Sequence, residues 1–151
     1  MASAGRGAER TRARLTEYLS RNGLKQTRQR EAIMDAFLAK DGHLTSEELY
    51  ERVREEHPEI GAATVYRTLK LFCDAGVANA IDFREGVTLY ERQESQHDHL
   101  ICVGCGQIIE FESRVIEKQQ LEIARKYGYR LTQHRHHLFG YCPRCQKRGI
   151  S

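Results

Sequence analysis

The stretch "GAATVYRTLKLFCDAG", residues 61–76, decides how the first half of the chain folds. Val65, Leu69, Phe72 and Cys73 fall at i, i+4, i+7 and i+8, the spacing of one helix face, so they are expected to face a core. On that reading Cys73 is a buried core thiol. Tyr66, Arg67 and Lys70 face the other way, and Gly76 supplies a C-terminal stop. Upstream, "GLKQTRQREAIMDAFLAK" places Ile33, Ala36 and Phe37 on one helical face. "HLTSEELYERVREEHPEI" opens with Thr45 and has Glu48 three residues later, a capping box; Leu49 and Val53 follow as the apolar face and Pro58 marks the exit. Downstream, "VANAIDF" and "VTLYER" read as two strands joined by residues 84–86, a hairpin.

Helices followed by a hairpin predict a winged helix-turn-helix whose third helix enters a major groove. Thr64, Tyr66, Arg67 and Lys70 are its candidate DNA contacts: arginine for phosphate or guanine, tyrosine and threonine for thymine methyls. A solvated helix face would show the same residues.

Beyond residues 93–95, a polar stretch expected to hold the hinge, the texture changes. "HDHLICV" and "QIIEF" read as strands around "CVGC", and "SRVIEKQQLEIARKYG" as a helix from Ser113 to a stop at Gly128. "YRLTQHRHHLFGYC" reads as a strand leading into "CPRC". The fold class is therefore α+β: a winged-helix domain over residues 1–92, then a small α/β domain over residues 93–151.

Cys102, Cys105, Cys142 and Cys145 form two CxxC pairs with 36 residues between them. Such pairs predict one tetrahedral Zn(II) site, structural because four thiolates leave no open position. The competing reading is two redox motifs, disfavoured because neither pair is expected to follow a strand and open a helix. Alternation in a strand puts His97 and His99 on one face and Gln96 and Asp98 on the other, enough for two mixed N/O metal sites. Glu110 sits in the apolar run "IIEF", where an unpaired carboxylate is costly; Glu117 falls on an apolar helical face; His134 belongs to the final strand. Taken singly, each of these acids and histidines also reads as an ordinary surface or core group.

Composition narrows the classes. The chain has 151 residues, 40% hydrophobic, which allows one ordinary domain or two small ones. No apolar run approaches the ~20 residues of a membrane span. The N-terminus lacks the apolar core of a secretory signal, so the expected location is the cytoplasm. A net charge of +3 argues only weakly for nucleic acid, but residues 1–30 carry eight Arg/Lys against two Glu. Residues 1–12 are expected to form a disordered basic arm.

"GLKQTRQRE", "IGAATVYRTLKLF", "HDHLICVGCGQIIEF" and "YGYRLTQHRHHLFGYCPRC", in this order and spacing, resemble the ferric uptake regulator family of metal-dependent bacterial repressors over about residues 20–146. The resemblance implies a homodimer, with the C-terminal domain as its dimerisation domain, binding A·T-rich palindromic operator DNA when a regulatory metal is loaded. By position it places an interdomain regulatory site on His43, Glu91, His97, His99 and Glu110. A second site falls on Asp98, Glu117 and His134, with Gln96 where the family usually has histidine. Tyr66 and Arg67 match DNA-contacting residues, and Lys25 matches a minor-groove lysine. The regulatory metal implied is Fe(II), with Mn(II) or Zn(II) able to substitute, and the function is repression of iron-uptake genes. Glu110, where peroxide sensors usually carry aspartate, and the lack of a spare cysteine favour iron over peroxide or zinc sensing.

Two rivals stand further off. A zinc deaminase would need H-x-E with P-C-x-x-C, whereas the chain has "HDH" and "CPRC". No HExxH, nucleophile elbow or P-loop appears, so neither an enzyme nor a small-molecule substrate is expected. A zinc ribbon that docks protein or RNA leaves the recognition helix and wing unexplained.

Overall fold

The computed structural model describes residues 2–84, 86–93, 98–132 and 134–151, with residues 2–6 and 84 described as backbone only. It forms two compact units, Met1–Glu94 and Ser95–Ser151. Gln96 and His97 lie outside the described residues.

The first unit is built by α1 (Ala2–Arg21), α2 (Arg28–Leu38), α3 (Ser46–Glu56) and α4 (Ala62–Asp74), then β1 (Ala78–Arg84) and β2 (Val87–Arg92). Each helix start has a local cause. The Thr27 hydroxyl accepts from the Arg30 amide, and Thr45 and Glu48 cap each other reciprocally. Helix α4 ends where Gly76 takes φ +68°, a conformation other residues rarely adopt. Val65, Leu69 and Phe72 are fully buried, and the Phe72 ring meets Phe37 of α2 at 5.8 Å between centroids. Cys73 is only half-buried at the edge of this core, correcting its reading as a buried thiol. At i+8 it has drifted off the centre of the apolar stripe.

From Ala2 onward the expected arm over residues 1–12 is helix. Alanine, arginine and glutamate favour that state, and Leu15 and Leu19 anchor α1 by burying into the core. Strands β1 and β2 pair antiparallel. Leu44 adds a short bridge to Tyr90, their amides exchanging hydrogen bonds of 2.9 and 2.7 Å.

The second unit holds β3 (Asp98–Cys102), β4 (Ile108–Phe111), α5 (Arg114–Lys126), β5 (His137–Gly140) and α6 (Pro143–Lys147). Strand β3 is central, antiparallel to β4 and parallel to β5. Ser113 caps α5, and Gly128 at φ +74° follows it. No residue of α5 is buried; Val115, Leu121 and Ile123 are exposed. The final strand is shorter than expected. It begins at His137, so His134 lies in irregular chain before it. Gly140 ends it, and Cys142 caps α6 with Pro143 at its first position. The CPRC pair therefore does follow a strand and open a helix, contrary to expectation.

Candidate metal centres

The redox reading of CPRC fails on where the other pair lies. The Sγ atoms of Cys102, Cys105, Cys142 and Cys145 all lie within 4.8 Å of one another. Cys102 to Cys145 is 3.7 Å, and Cys105 to Cys142 is 3.7 Å. A regular tetrahedron with Zn–S bonds of about 2.3 Å has edges of about 3.8 Å. A disulfide needs about 2.05 Å. The four thiols thus fit one tetrahedral zinc.

The local chain builds this cluster closely. The Gly106 amide donates to the Cys102 carbonyl at 2.9 Å, and the Cys102 amide to Gln107 at 2.8 Å, closing the first knuckle. The Val103 amide donates to Gly140 at 2.9 Å, bringing the end of β5 alongside. A Cβ on Gly104 would sit 3.0 Å from Cys145 Sγ and 3.2 Å from the Ile150 side chain, so a larger residue there would have to push these side chains back by a few tenths of an ångström.

The Cys142 amide donates to Cys102 Sγ at 3.2 Å. With the Cys105 and Gly104 amides it pulls the Cys102 thiol down to about 6. Burial, then the neighbouring sulfurs, push Cys145 up to about 12. One cluster thus holds both a ready thiolate and a thiol that resists ionising without a cation. The Gln107 amide and the Arg144 guanidinium lower Cys105. Arg144 and Gly104 are contributors that the cysteine spacing did not mark out.

Two pairs of the other candidate ligands are brought together, each inside one unit. In the first, His43 Nε2 lies 2.8 Å from Glu91 Oε2. Glu91 is buried, and Asn79 opposite it on β1 donates to its Oε1 at 3.3 Å. In the second, His99 on β3 is the register partner of Glu110 on β4. His99 is buried, and its ring meets His137 edge-on at 5.3 Å between centroids. Glu110 is exposed, so the desolvation cost expected from the run "IIEF" is not incurred. Asp98 is buried, while Glu117 and His134 are half-buried; these three do not converge into a ligand group.

On α4, Tyr66 and Lys70 are exposed, with the Lys70 ammonium 5.7 Å from the Tyr66 ring centroid. Arg67 is exposed and its guanidinium reaches Thr64 Oγ1 at 3.4 Å. Arg67, Thr64 and Arg30 line one groove between α2 and α4. Lys25 is exposed just before α2, and its carbonyl accepts from Arg30. Arg30 is a basic member of this face that helix periodicity did not single out.

The sequence model of the ferric uptake regulator family matches residues 21–139. The chain belongs to the ferric uptake regulator family. It is 42% identical over 135 residues to the ferric uptake regulation protein of Campylobacter jejuni, covering 87% of this chain and 86% of that one. The ferric uptake regulator of Pseudomonas aeruginosa, solved with manganese, superimposes with a TM-score of 0.73 at 35% identity, covering 85% of this chain and 97% of that one. That of Helicobacter pylori, described as revealing three functional metal binding sites, gives 0.72 at 31% identity over 92% and 93% of the two chains. As a ferric uptake regulator family member, the protein is a metal-responsive regulator of transcription and not an enzyme. The winged helix-turn-helix and the four-cysteine α+β unit are the fold expected of that family. Among the described residues, no helix is long and apolar enough to cross a membrane.

Proposed function

We propose that the protein is an Fe(II)-dependent repressor of iron-uptake genes, acting in the cytoplasm as a homodimer on A·T-rich palindromic operators. In this reading Cys102, Cys105, Cys142 and Cys145 hold a structural Zn(II). His43 and Glu91 from the first unit, with His97, His99 and Glu110 from the second, hold the regulatory ion.

The observation that carries the reading is the pre-built pair in each unit: His43 against Glu91 at 2.8 Å, and His99 opposite Glu110 on adjacent strands. A bound divalent ion supplies the link between two incomplete ligand sets. Asn79 holds the Glu91 carboxylate in place, and the Leu44–Tyr90 bridge brings His43 to it. The His137 ring packs edge-on to His99. The nitrogen and oxygen donors suit Fe(II), Mn(II) or Zn(II) rather than copper(I). Coupling follows if the linked arrangement presents both recognition helices of a dimer to DNA better than the unlinked one.

Tyr66, Arg67, Lys70, Thr64 and Lys25 are assigned to DNA; the exposure of Tyr66, Arg67, Lys70 and Lys25 on one unit supports this, with half-buried Thr64 beside Arg67. The homodimer is supported by the apolar surface left uncovered on the second unit. Ile109, Leu100 and Leu138 form an exposed row across its sheet, and Val115, Leu121, Ile123 and Tyr127 are exposed on and just after α5. Contiguous exposed apolar surface is characteristic of protein–protein interfaces.

The test is fluorescence anisotropy with a palindromic A·T-rich duplex at fixed salt, without oxygen, using protein that keeps its four-cysteine zinc. Fe(II) or Mn(II) raising affinity at concentrations where free Zn(II) does not supports the reading. Zinc acting at far lower free concentration makes the protein a zinc sensor. Affinity indifferent to every metal contradicts the proposal.

A further inference from the structure

Arg92 closes β2, one residue beyond Glu91, and its side chain is 14% exposed. Its guanidinium reaches two points on the connector that leaves α2. One nitrogen donates to the Leu38 carbonyl at 3.3 Å, and the other to the Asp41 carboxylate at 2.5 Å. Leu38 is the last residue of α2, so its carbonyl has no acceptor role within the helix ladder. The last turn of α2 carries no basic residue of its own, and a cation brought from β2 suits its negative end.

These contacts extend a ladder. Leu44 exchanges amide hydrogen bonds with Tyr90, His43 meets Glu91, and Asp41 meets Arg92. Residues 44 to 41 thus run antiparallel to residues 90 to 92. The backbone bridge at Leu44 holds one side of His43. On the other side Gly42, at φ +80°, turns the chain and has no side chain to fix it. The fork of Arg92 supplies an anchor just beyond that turn. Alternation along β2 points Arg92 away from the Glu91 carboxylate, which keeps its charge off the face where Glu91 meets His43. Asp41 is 95% exposed, and surface ion pairs contribute little to stability. The fork therefore governs where the connector lies more than whether the unit folds.

We propose that Arg92 is a positioning residue for the regulatory ion: it straps the connector after α2 to β2 and so keeps His43 opposite Glu91 before metal arrives. The inference rests on the reading of His43 and Glu91 as ligands of that ion. A ligand already in place raises affinity because less chain has to be ordered on binding.

The experiment uses the full-length chain with its cysteine-bound zinc retained, without oxygen. Mn(II) affinity is measured for the unaltered chain, Arg92→Ala, His43→Ala and the double variant. Arg92→Ala should weaken Mn(II) binding about tenfold. In the His43→Ala background the same change should alter it by less than about twofold, because Arg92 acts through His43. Arg92→Lys, which keeps the charge and loses the fork, should fall between Arg92→Ala and the unaltered chain. A second readout needs no metal: hydrogen exchange at the Leu44 amide, which donates to the Tyr90 carbonyl. Exchange should quicken about tenfold in Arg92→Ala, while the Leu69 amide in the core of α4 keeps its protection. Unchanged Mn(II) affinity in Arg92→Ala, an equal loss in both backgrounds, or a Leu44 amide that is unchanged or quickens only together with Leu69 would each overturn the proposal. Failure of the proposed function shows differently, as Mn(II) affinity that His43→Ala leaves unchanged; Leu44 exchange then still decides whether Arg92 holds the connector.

Discussion

His43 Nε2 lies 2.8 Å from one oxygen of the Glu91 carboxylate, and Asn79 Nδ2 donates to the other at 3.3 Å. Three residues far apart in sequence meet because Leu44 bridges to Tyr90 and Asn79 pairs with Glu91 across the hairpin. The wing therefore carries a held carboxylate with a histidine against it.

Asn79→Ala removes the amide donor from a buried carboxylate. Metal affinity at the regulatory site should fall about tenfold or more, the usual effect of losing a group that orients a ligand. Stability should drop by about 1 kcal/mol. Mn(II) titration and urea unfolding measure the two effects. Unchanged metal affinity would show that Asn79 does not position Glu91.

Gly104→Ala should weaken the zinc cluster, because the added Cβ would meet Cys145 Sγ at 3.0 Å and push that ligand back by a few tenths of an ångström. Loss of a structural zinc removes folding free energy directly. The purified variant should hold clearly less than one cysteine-bound zinc per chain and melt at lower temperature. Full zinc content with an unchanged Tm contradicts the close-packed knuckle.

The cluster's thiols titrate in opposite directions. Cys102 falls from an ordinary 9.0 to about 6, so its stabilising thiolate is fully present above 9.0 and lost as pH falls through about 6. Cys145 rises to about 12, so its contribution is present below 9.0 and lost as pH climbs towards about 12. Zinc capture needs all four thiolates, and protons compete for them. A chelator at fixed concentration should therefore extract zinc faster below pH about 6 than near neutrality. Release independent of pH would contradict thiolate ligation.

Phe72→Ala and Arg67→Ala should separate fold from recognition. Phe72 is fully buried against Phe37, so its truncation should cost about 3–5 kcal/mol. Arg67 is exposed, so its truncation should leave stability within about 0.5 kcal/mol. It should weaken operator binding by about 1–3 kcal/mol. Chemical unfolding and anisotropy report these two quantities; undiminished operator binding would remove Arg67 from the DNA interface.

Most of the scaffold was legible in the sequence because its signals are local. The period of Val65, Leu69 and Phe72, the Thr45/Glu48 capping box and the stop at Gly76 each act within a turn or two. The four-cysteine cluster was legible because each CxxC pair carries half its geometry in its own spacing. What depended on distant chain was not. Residues 1–12 read as an arm because their own apolar content is low; Leu15 and Leu19, packed in the core, hold the helix. Glu110 looked buried among isoleucines, but β4 is an edge strand and leaves it exposed. Asn79 beside Glu91 follows from strand register, which no short-range pattern encodes.

The central claim is that a regulatory ion draws on ligands from both units, and His43→Ala tests it most directly. Operator affinity of this variant and of the unaltered chain would be measured by anisotropy over the same anaerobic Mn(II) titration, after confirming equal zinc content and equal dimer mass. The account predicts that the variant keeps its zinc and its dimer and loses the metal-dependent gain in affinity. A variant whose operator affinity rises with Mn(II) as it does in the unaltered chain would contradict it.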